Sequence, residues 1–316
     1  MTIESTISKA FLNSIRSITD GVQYSMLRDA IRAGDYAAVI AAIDVDEAAF
    51  DPLRLALTRT YAEGGVDAIT GQKWPVNVRW NSATPQAEDY ARNVVGNHIT
   101  LINNDMKDAI RWTLGDGIAL GRSRDRIALD IAGRIGASGR REGGMIGLNR
   151  MQSEWVASMR RSLETDPATA MRFKGWDRRF NKLVNSGQPL TAEQIDRITG
   201  VYTNKLLLSR GRTIARTERG LAINMGRMEG WRQALVKTGI PDRAVIKEWW
   251  HTGRSMIDRV THQAANGQKV RGLNSLFNVG GVFMTCPHDP VAPVGEVVNC
   301  ECQVKIALDK NWRAYG

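Results

Sequence analysis

The longest uninterrupted helical pattern in the chain starts after Pro189-Leu190 at Thr191 and runs to about Lys237. Thr191 and Gln194 have the spacing of a capping box, in which each side chain satisfies the other's backbone N–H. Gly200 and Gly211 are the two positions where the run could bend or divide. A rod of this length sets the fold class as mainly α, a multi-helix body, because helices must pack along it to bury its apolar stripe. Leu207, Ile214, Leu221, Met225, Met228 and Leu235 fall on one side of the rod at helical spacing, as plain core. Arg212, Arg216, Arg219 and Arg227 fall on the opposite side, which reads as an outward arginine ladder. Glu218 and Asn224 border the apolar stripe and are expected to hydrogen-bond at its edge.

The segments before the rod also read as helices. Ile7, Phe11, Leu12, Ile15 and Ile18 recur at helical spacing. Asp35-Tyr36 opens a short apolar helix to Ile43, and Asp51-Pro52 has the form of an N-cap and first turn for the next, toward Ala68. Trp74 to Pro85 is a loop, and a long helix is expected from about Ala87 to Leu114. Gly115 to Gly121 reads as a break, followed by a basic helix from Arg122 to Ile135. Residues 136–150 are glycine-rich and hold Arg140 and Arg141, either as a phosphate-binding nest or as a connecting loop with two solvated arginines. Helices are expected over 149–163 and 176–184, split at Asp166-Pro167.

After Gly239-Ile240-Pro241 the period changes. Val245 to Trp250, Leu276 to Phe283 and Cys302 to Leu308 read as strands, Ser255 to Gln263 as a short helix and Asn266-Gly267 as a turn. Trp249 and Trp250 must face opposite sides of a strand, one to the module core and one to the helical body. The expected organisation is therefore a helical region over 1–118, a basic helical region over 119–240 and a small α+β module over 241–316.

Net charge is +10, concentrated between 119 and 240, while the amino-terminal third is slightly acidic. Such a field favours a polyanion such as DNA through counterion release, or is simply a solvated helical surface. The amino terminus lacks the apolar core of a secretory signal, and no run of about 18 apolar residues predicts a membrane span. Synthesis in a cytoplasm and no membrane partner are the expectations.

All three cysteines, Cys286, Cys300 and Cys302, lie near the end, an odd and local set unlike a disulfide framework. With His262 or His288 they could hold zinc; the set His262, Cys286, Cys300 and Cys302 is the zinc candidate. The alternative is packed thiols with histidines as hydrogen-bond partners. No nucleophile elbow, HExxH helix or phosphate loop is present, and Asp258, Asp289 and Glu296 read as local turn and surface carboxylates, so no catalytic residues are assigned. A non-enzymatic role is expected.

Three blocks share one pattern. RTIARTERGLAINMGRMEGWRQA carries Ile214, Ala215, Arg216, Thr217, Glu218, Ala222, Asn224, Gly226 and Arg227. The second carries Trp250, Thr252, Asp258, Arg259, His262, Asn266 and Gly267. The third carries Pro287, Asp289, Pro290, Glu296, Asn299, Cys300 and Cys302. In their order and spacing these blocks resemble the phage Mu F-like head morphogenesis family, the minor capsid proteins of tailed phages. Some relatives carry a CxxC pair in the second block, where this chain has Val260-Thr261-His262-Gln263, so those thiols are missing here. The resemblance implies a virion protein inside the head near the portal vertex, made in the host cytoplasm and acting in procapsid assembly. Its implied partners are portal protein, other capsid proteins and packaged double-stranded DNA. It implies that Trp250, Asp258, Arg259, His262, Asn299, Cys300 and Cys302 hold the module together, and that Arg140, Arg141 and the arginine face of 212–227 meet DNA. A stand-alone DNA-binding accessory protein and a metal-dependent nucleic-acid enzyme are the alternatives.

Overall fold

The computed structural model describes residues 2–254 and 258–311. Its helices in chain order are α1 (Ile3–Gly21), α2 (Tyr24–Ala33), α3 (Tyr36–Ile43), α4 (Asp51–Thr70), α5 (Pro85–Asp89), α6 (Val95–Ala119), α7 (Arg124–Ala132), α8 (Arg150–Thr165), α9 (Pro167–Ala170), α10 (Asn181–Val184), α11 (Ala192–Thr238), α12 (Val260–Ala265) and α13 (Val294–Val297). The strands are β1 (Arg134–Ile135), β2 (Arg141–Glu142), β3 (Val245–Trp250), β4 (Lys269–Arg271), β5 (Phe277–Val279), β6 (Val282–Met284) and β7 (Gln303–Leu308). The fold is mainly α with a small carboxy-terminal α+β module.

Local chemistry explains most boundaries. Asp35 caps α3 by accepting from Ala38 N at 3.0 Å, and Asn149 with Gln152 forms a capping box at α8. Thr191 and Gln194 exchange hydrogen bonds of 2.9 and 3.3 Å at the start of α11. Asp51 is not a cap: a 3-10 turn, Glu47–Phe50, capped by Asp46, leads directly into α4. A π-helical turn, Tyr90–Val94, joins α5 to α6, so the expected helix starts at Pro85 and reaches Ala119. Neither Gly200 nor Gly211 divides α11. A Cβ on Gly143 would lie 2.8 Å from Gly200 Cα, so two glycines let that loop touch the helix backbone.

The expected boundaries near 118 and 240 are not where the chain divides. One compact unit takes Met1–Ala10, Leu53–Asn97 and Arg212–Gly316; the other takes Phe11–Pro52 and His98–Gly211. The reason is helix length: α1, α6 and α11 each run past a boundary and give one part to each unit. The 241–316 segment does not own its core. Trp249, Phe277, Met284 and Val304 are buried with Met228, Trp231 and Leu235 of α11, and Ala68 and Trp74 pack on them.

In the first unit the module is a three-stranded antiparallel sheet of order β4-β3-β7 and a β5-β6 hairpin. The expected strand from Leu276 to Phe283 is this hairpin: Gly280 and Gly281, at φ 62° and 90°, make its two-residue turn. β4 was not foreseen; it pairs with β3 from Ile246 to Glu248. Of the helix expected from Ser255 to Gln263, residues 255–257 lie outside the described residues and α12 begins at Val260. Trp249 is the inward tryptophan, whereas Trp250 is 38% exposed under the Lys305 ammonium, 4.0 Å from its ring centre. In the same unit α4 and α11 cross at glycines. A Cβ on Gly226 would meet Tyr61 O at 2.0 Å and one on Gly230 would meet Gly65 O at 2.5 Å, so only glycine permits the approach.

The second unit has a core of Met145, Leu148, Val156, Met159, Leu163, Phe180, Ile198 and Tyr202. Beside it lies an ion-pair network. Asp196 takes Arg126 at 2.6 Å, Arg134 at 2.6 Å and Arg160 at 2.8 Å, and Asp130 takes Arg122 at 3.0 Å. Part of the middle region's positive charge is thus spent internally, against carboxylates, and is not a field directed at a polyanion. Among the described residues no helix is long and apolar enough to cross a membrane.

Candidate metal centre

Cys300 and Cys302 lie immediately before β7, and His262 lies on α12. His262 Nδ1 is 3.4 Å from Cys300 Sγ and 3.5 Å from Cys302 Sγ, and these three donor atoms all fall within 4.8 Å of one another, buried. Among the described residues this is the group that could hold a metal ion. The geometry starts from the backbone. Asn299 takes a left-handed conformation (φ 56°), which asparagine tolerates, and this turns the CxC segment so that both sulfurs point to α12. Cys302 N then donates to Cys300 Sγ at 3.3 Å.

His262 Nε2 lies 2.8 Å from Glu296 Oε2. A carboxylate oxygen accepts, so Nε2 carries the proton and Nδ1 faces the sulfurs. The Cys300 thiol is lowered, by the Cys302 hydrogen bond first and by His262 and His288 as well, against burial. The Cys302 thiol is raised by the same hydrogen bond, by burial and by the Cys300 charge. His262 is raised: burial opposes its charging, but the Cys300 and Glu296 hydrogen bonds outweigh it. The cluster thus sets two thiols and an imidazole Nδ1 together, the donor types that zinc takes.

Cys286 is not part of it. Its thiol is buried and pushed up to about 12, by burial first and then by Asp289. It lies with Lys247 and Asp289, so the four-residue zinc set His262, Cys286, Cys300 and Cys302 is corrected to three. The reason is topological: Cys286 follows β6 and sits beside Lys247 and Asp289, whereas the chain after α13 carries Cys300 and Cys302 to His262.

A layer of polar braces surrounds the cluster. Asn224, fully buried on α11, donates from Nδ2 to Pro287 O (3.1 Å) and Cys302 O (3.3 Å) and accepts from Val304 N (3.1 Å). His288 Nε2 is 2.9 Å from Cys300 O, which can only accept, so Nε2 carries the proton and the unprotonated Nδ1 lies 3.3 Å from Asn224 Nδ2. Burial lowers the His288 pKa, in keeping with this neutral form. Its ring lies against Gly220, where a Cβ would come within 2.3 Å of Cε1. Thr217 Oγ1 accepts from Asn299 N at 3.1 Å, and Arg216 donates to Asn299 Oδ1 at 3.0 Å and pairs with Glu4 and Glu301 at 3.3 and 3.6 Å. Glu218 is buried on the same helix. Arg259 donates to Gly295 O and Val298 O at 2.7 and 2.8 Å, and Asp258 Oδ2 accepts from Gln263 at 2.6 Å. Asp289 closes its own turn through Thr285 and Val291 and stands apart from the cluster, as Trp250 does.

The arginine ladder is corrected. Arg216 and Arg227 face the module: Arg227 donates to Gln303 Oε1 at 2.8 Å, and its pKa is lowered by burial. Arg219 is half-buried, and Arg212 is exposed. The helical wheel found the face opposite the apolar stripe but not that β7 covers it. Arg140 is exposed and 3.9 Å from Asp20, whereas Arg141 donates to Gly133 O and stacks on Tyr24. Both line an open cleft of about 550 Å³ with Asp20 and Glu142, carboxylates that a phosphate would have to approach.

Two residues of the module went unread in the sequence. Lys247 is fully buried, with its ammonium bonded to Leu273 O, Ser275 O and Thr285 O at 2.6, 2.7 and 2.6 Å. Strand alternation gave the signal, since Lys247 shares the inward face with Val245 and Trp249. His251 is the other: its Nδ1 is 3.4 Å from Cys302 Sγ. Its signal was the gathering of three of the four histidines with every cysteine in one module.

No family model, no curated protein and no solved structure matches this chain.

Proposed function

We propose that this chain is a minor capsid, or head morphogenesis, protein of a tailed phage, acting at the portal vertex in procapsid assembly and contacting packaged DNA. The observation that carries it is the meeting of the three motif blocks: Arg216, Thr217 and Asn224 of the first hold Asn299 and Cys302 of the third, and His262 of the second holds both thiols. These polar groups hydrogen-bond one another, as structural braces do. Zinc is the cation we assign to His262, Cys300 and Cys302. A tetrahedral ion with bonds of about 2.3 Å to sulfur and 2.0–2.1 Å to nitrogen puts neighbouring N and S donors about 3.5 Å apart; the two N···S distances here are 3.4 and 3.5 Å. Bound there, zinc would tie α12 to the lead-in of β7.

The partners follow from the same reading: portal protein and other capsid proteins, with DNA reached by exposed Arg212 and Arg140. Co-expression with a tailed-phage portal protein tests the assembly role. A complex that sediments with the portal ring is expected; a chain that never associates with portal or capsid overturns it. Gel shifts on nonspecific duplex across a salt series test DNA contact, with a salt slope that falls by about one for Arg212→Ala if that arginine meets a phosphate.

A further inference from the structure

Zinc at three protein ligands would keep a fourth position open, the form that catalytic sites use. We infer that His251 closes it, giving a Cys2His2 structural site made of His251, His262, Cys300 and Cys302. This deepens the zinc assignment above and rests on it. Three observations carry it. His251 Nδ1 is 3.4 Å from Cys302 Sγ, about the 3.5 Å that two donors on one tetrahedral zinc require; it stands outside the group whose donor atoms all lie within 4.8 Å of one another, so a swing of its ring toward Cys300 and His262 completes the site. His251 Nε2 is 3.0 Å from Asp258 Oδ1, just as His262 Nε2 is 2.8 Å from Glu296 Oε2. Each imidazole thus donates its Nε2–H to a carboxylate, with the Nδ1 lone pair of His262 facing both sulfurs and that of His251 facing Cys302, the arrangement by which outer carboxylates orient zinc-bound histidines. Finally, His251 is tethered: its N–H donates to Asn266 Oδ1 at 2.9 Å, while neighbouring Thr252 Oγ1 donates to Glu301 O at 3.2 Å, between the two cysteines.

The consequence is functional. A site closed by four side chains binds no water or substrate on the metal, so its output is rigidity. It joins the segment after β3, helix α12 and the lead-in of β7, three parts of a module whose sheet has only three strands. Asp258 becomes a positioning residue for His251, itself held by Gln263 Nε2 at 2.6 Å.

The test uses the full chain and zinc itself. Zinc content after dialysis, affinity by competition with a chromophoric chelator and X-ray absorption at the zinc edge are measured on the wild type, His251→Ala and Asp258→Asn. One zinc per chain is expected, with two sulfur scatterers and the multiple-scattering signature of two imidazoles. His251→Ala should weaken zinc more than about 100-fold, and Asp258→Asn by about 10- to 100-fold. A wild-type spectrum with one imidazole, or zinc affinity unchanged in His251→Ala, overturns the four-ligand site and leaves the three-ligand assignment standing. A wild type that binds no zinc overturns both. The wild-type spectrum decides the matter even where the variants fail to fold.

Discussion

Replacing Lys247 by methionine separates the energetics of this module most cleanly. The side chains are similar in length, so the strand and the packing of Val245 and Trp249 are kept, while the ammonium is removed from the carbonyls of Leu273, Ser275 and Thr285. Each carbonyl left without its donor costs about 1–3 kcal/mol, roughly 3–9 kcal/mol for the three together. Against this, methionine avoids the several kcal/mol spent in burying a charge. The expected net loss is about 2–4 kcal/mol, read as a lower urea midpoint at unchanged slope. The pH dependence has a fixed sign. Burial lowers the Lys247 pKa from 10.5 to about 8 in the folded protein. Between those values the unfolded chain binds more protons, so wild-type stability rises with pH through that window relative to Lys247→Met, by on the order of 2–3 kcal/mol. A methionine variant as stable as wild type at pH 7 refutes the triple-carbonyl anchor. A wild-type advantage that falls from pH 8 to 10.5 refutes the lowered pKa.

Other substitutions probe neighbouring contacts. Gly220→Ala should cost about 1–3 kcal/mol in urea unfolding, because its Cβ would overlap the His288 ring. Asn224→Ala, which strips the donor from Pro287 O and Cys302 O and the acceptor from Val304 N, should cost about 2–4 kcal/mol in thermal or chemical unfolding. Asp196→Asn in the second unit leaves Arg126, Arg134 and Arg160 short of their shared carboxylate and should cost about 3–5 kcal/mol, with no change in portal binding if the network is purely structural. Arg227→Met should lower stability without changing the salt slope of DNA binding, the reverse of Arg212→Ala.

What the sequence disclosed was what local chemistry decides. The caps at Asp35 and Thr191 and the period-2 run of β3 lie where their residues put them, because each is settled within a turn or two of chain. The Gly280-Gly281 turn was equally local, and the strand expected across it overlooked a two-glycine hairpin signal. The rest is tertiary. Nothing within α11 says that Arg216 and Arg227 would be covered by a segment some 80 residues later, so a helical wheel takes them for solvent-facing. Cys300, Cys302 and His262 were legible as ligand types, but separating Cys286 from them needs the path of the chain after β6. His251 was hidden by its neighbours, since a tryptophan pair draws the eye to packing. The division into units also escaped: α6 does end at Ala119, beside the change in charge, but the units part within α1, α6 and α11, where no local signal marks a boundary.

The proposed assembly role is tested most directly by quantitative mass spectrometry of purified, nuclease-treated phage particles produced in a host that expresses the gene for this chain. The account predicts that its peptides remain with the heads after a high-salt wash, in fixed proportion to portal protein. Heads that assemble and package DNA without any copy of the chain would contradict it.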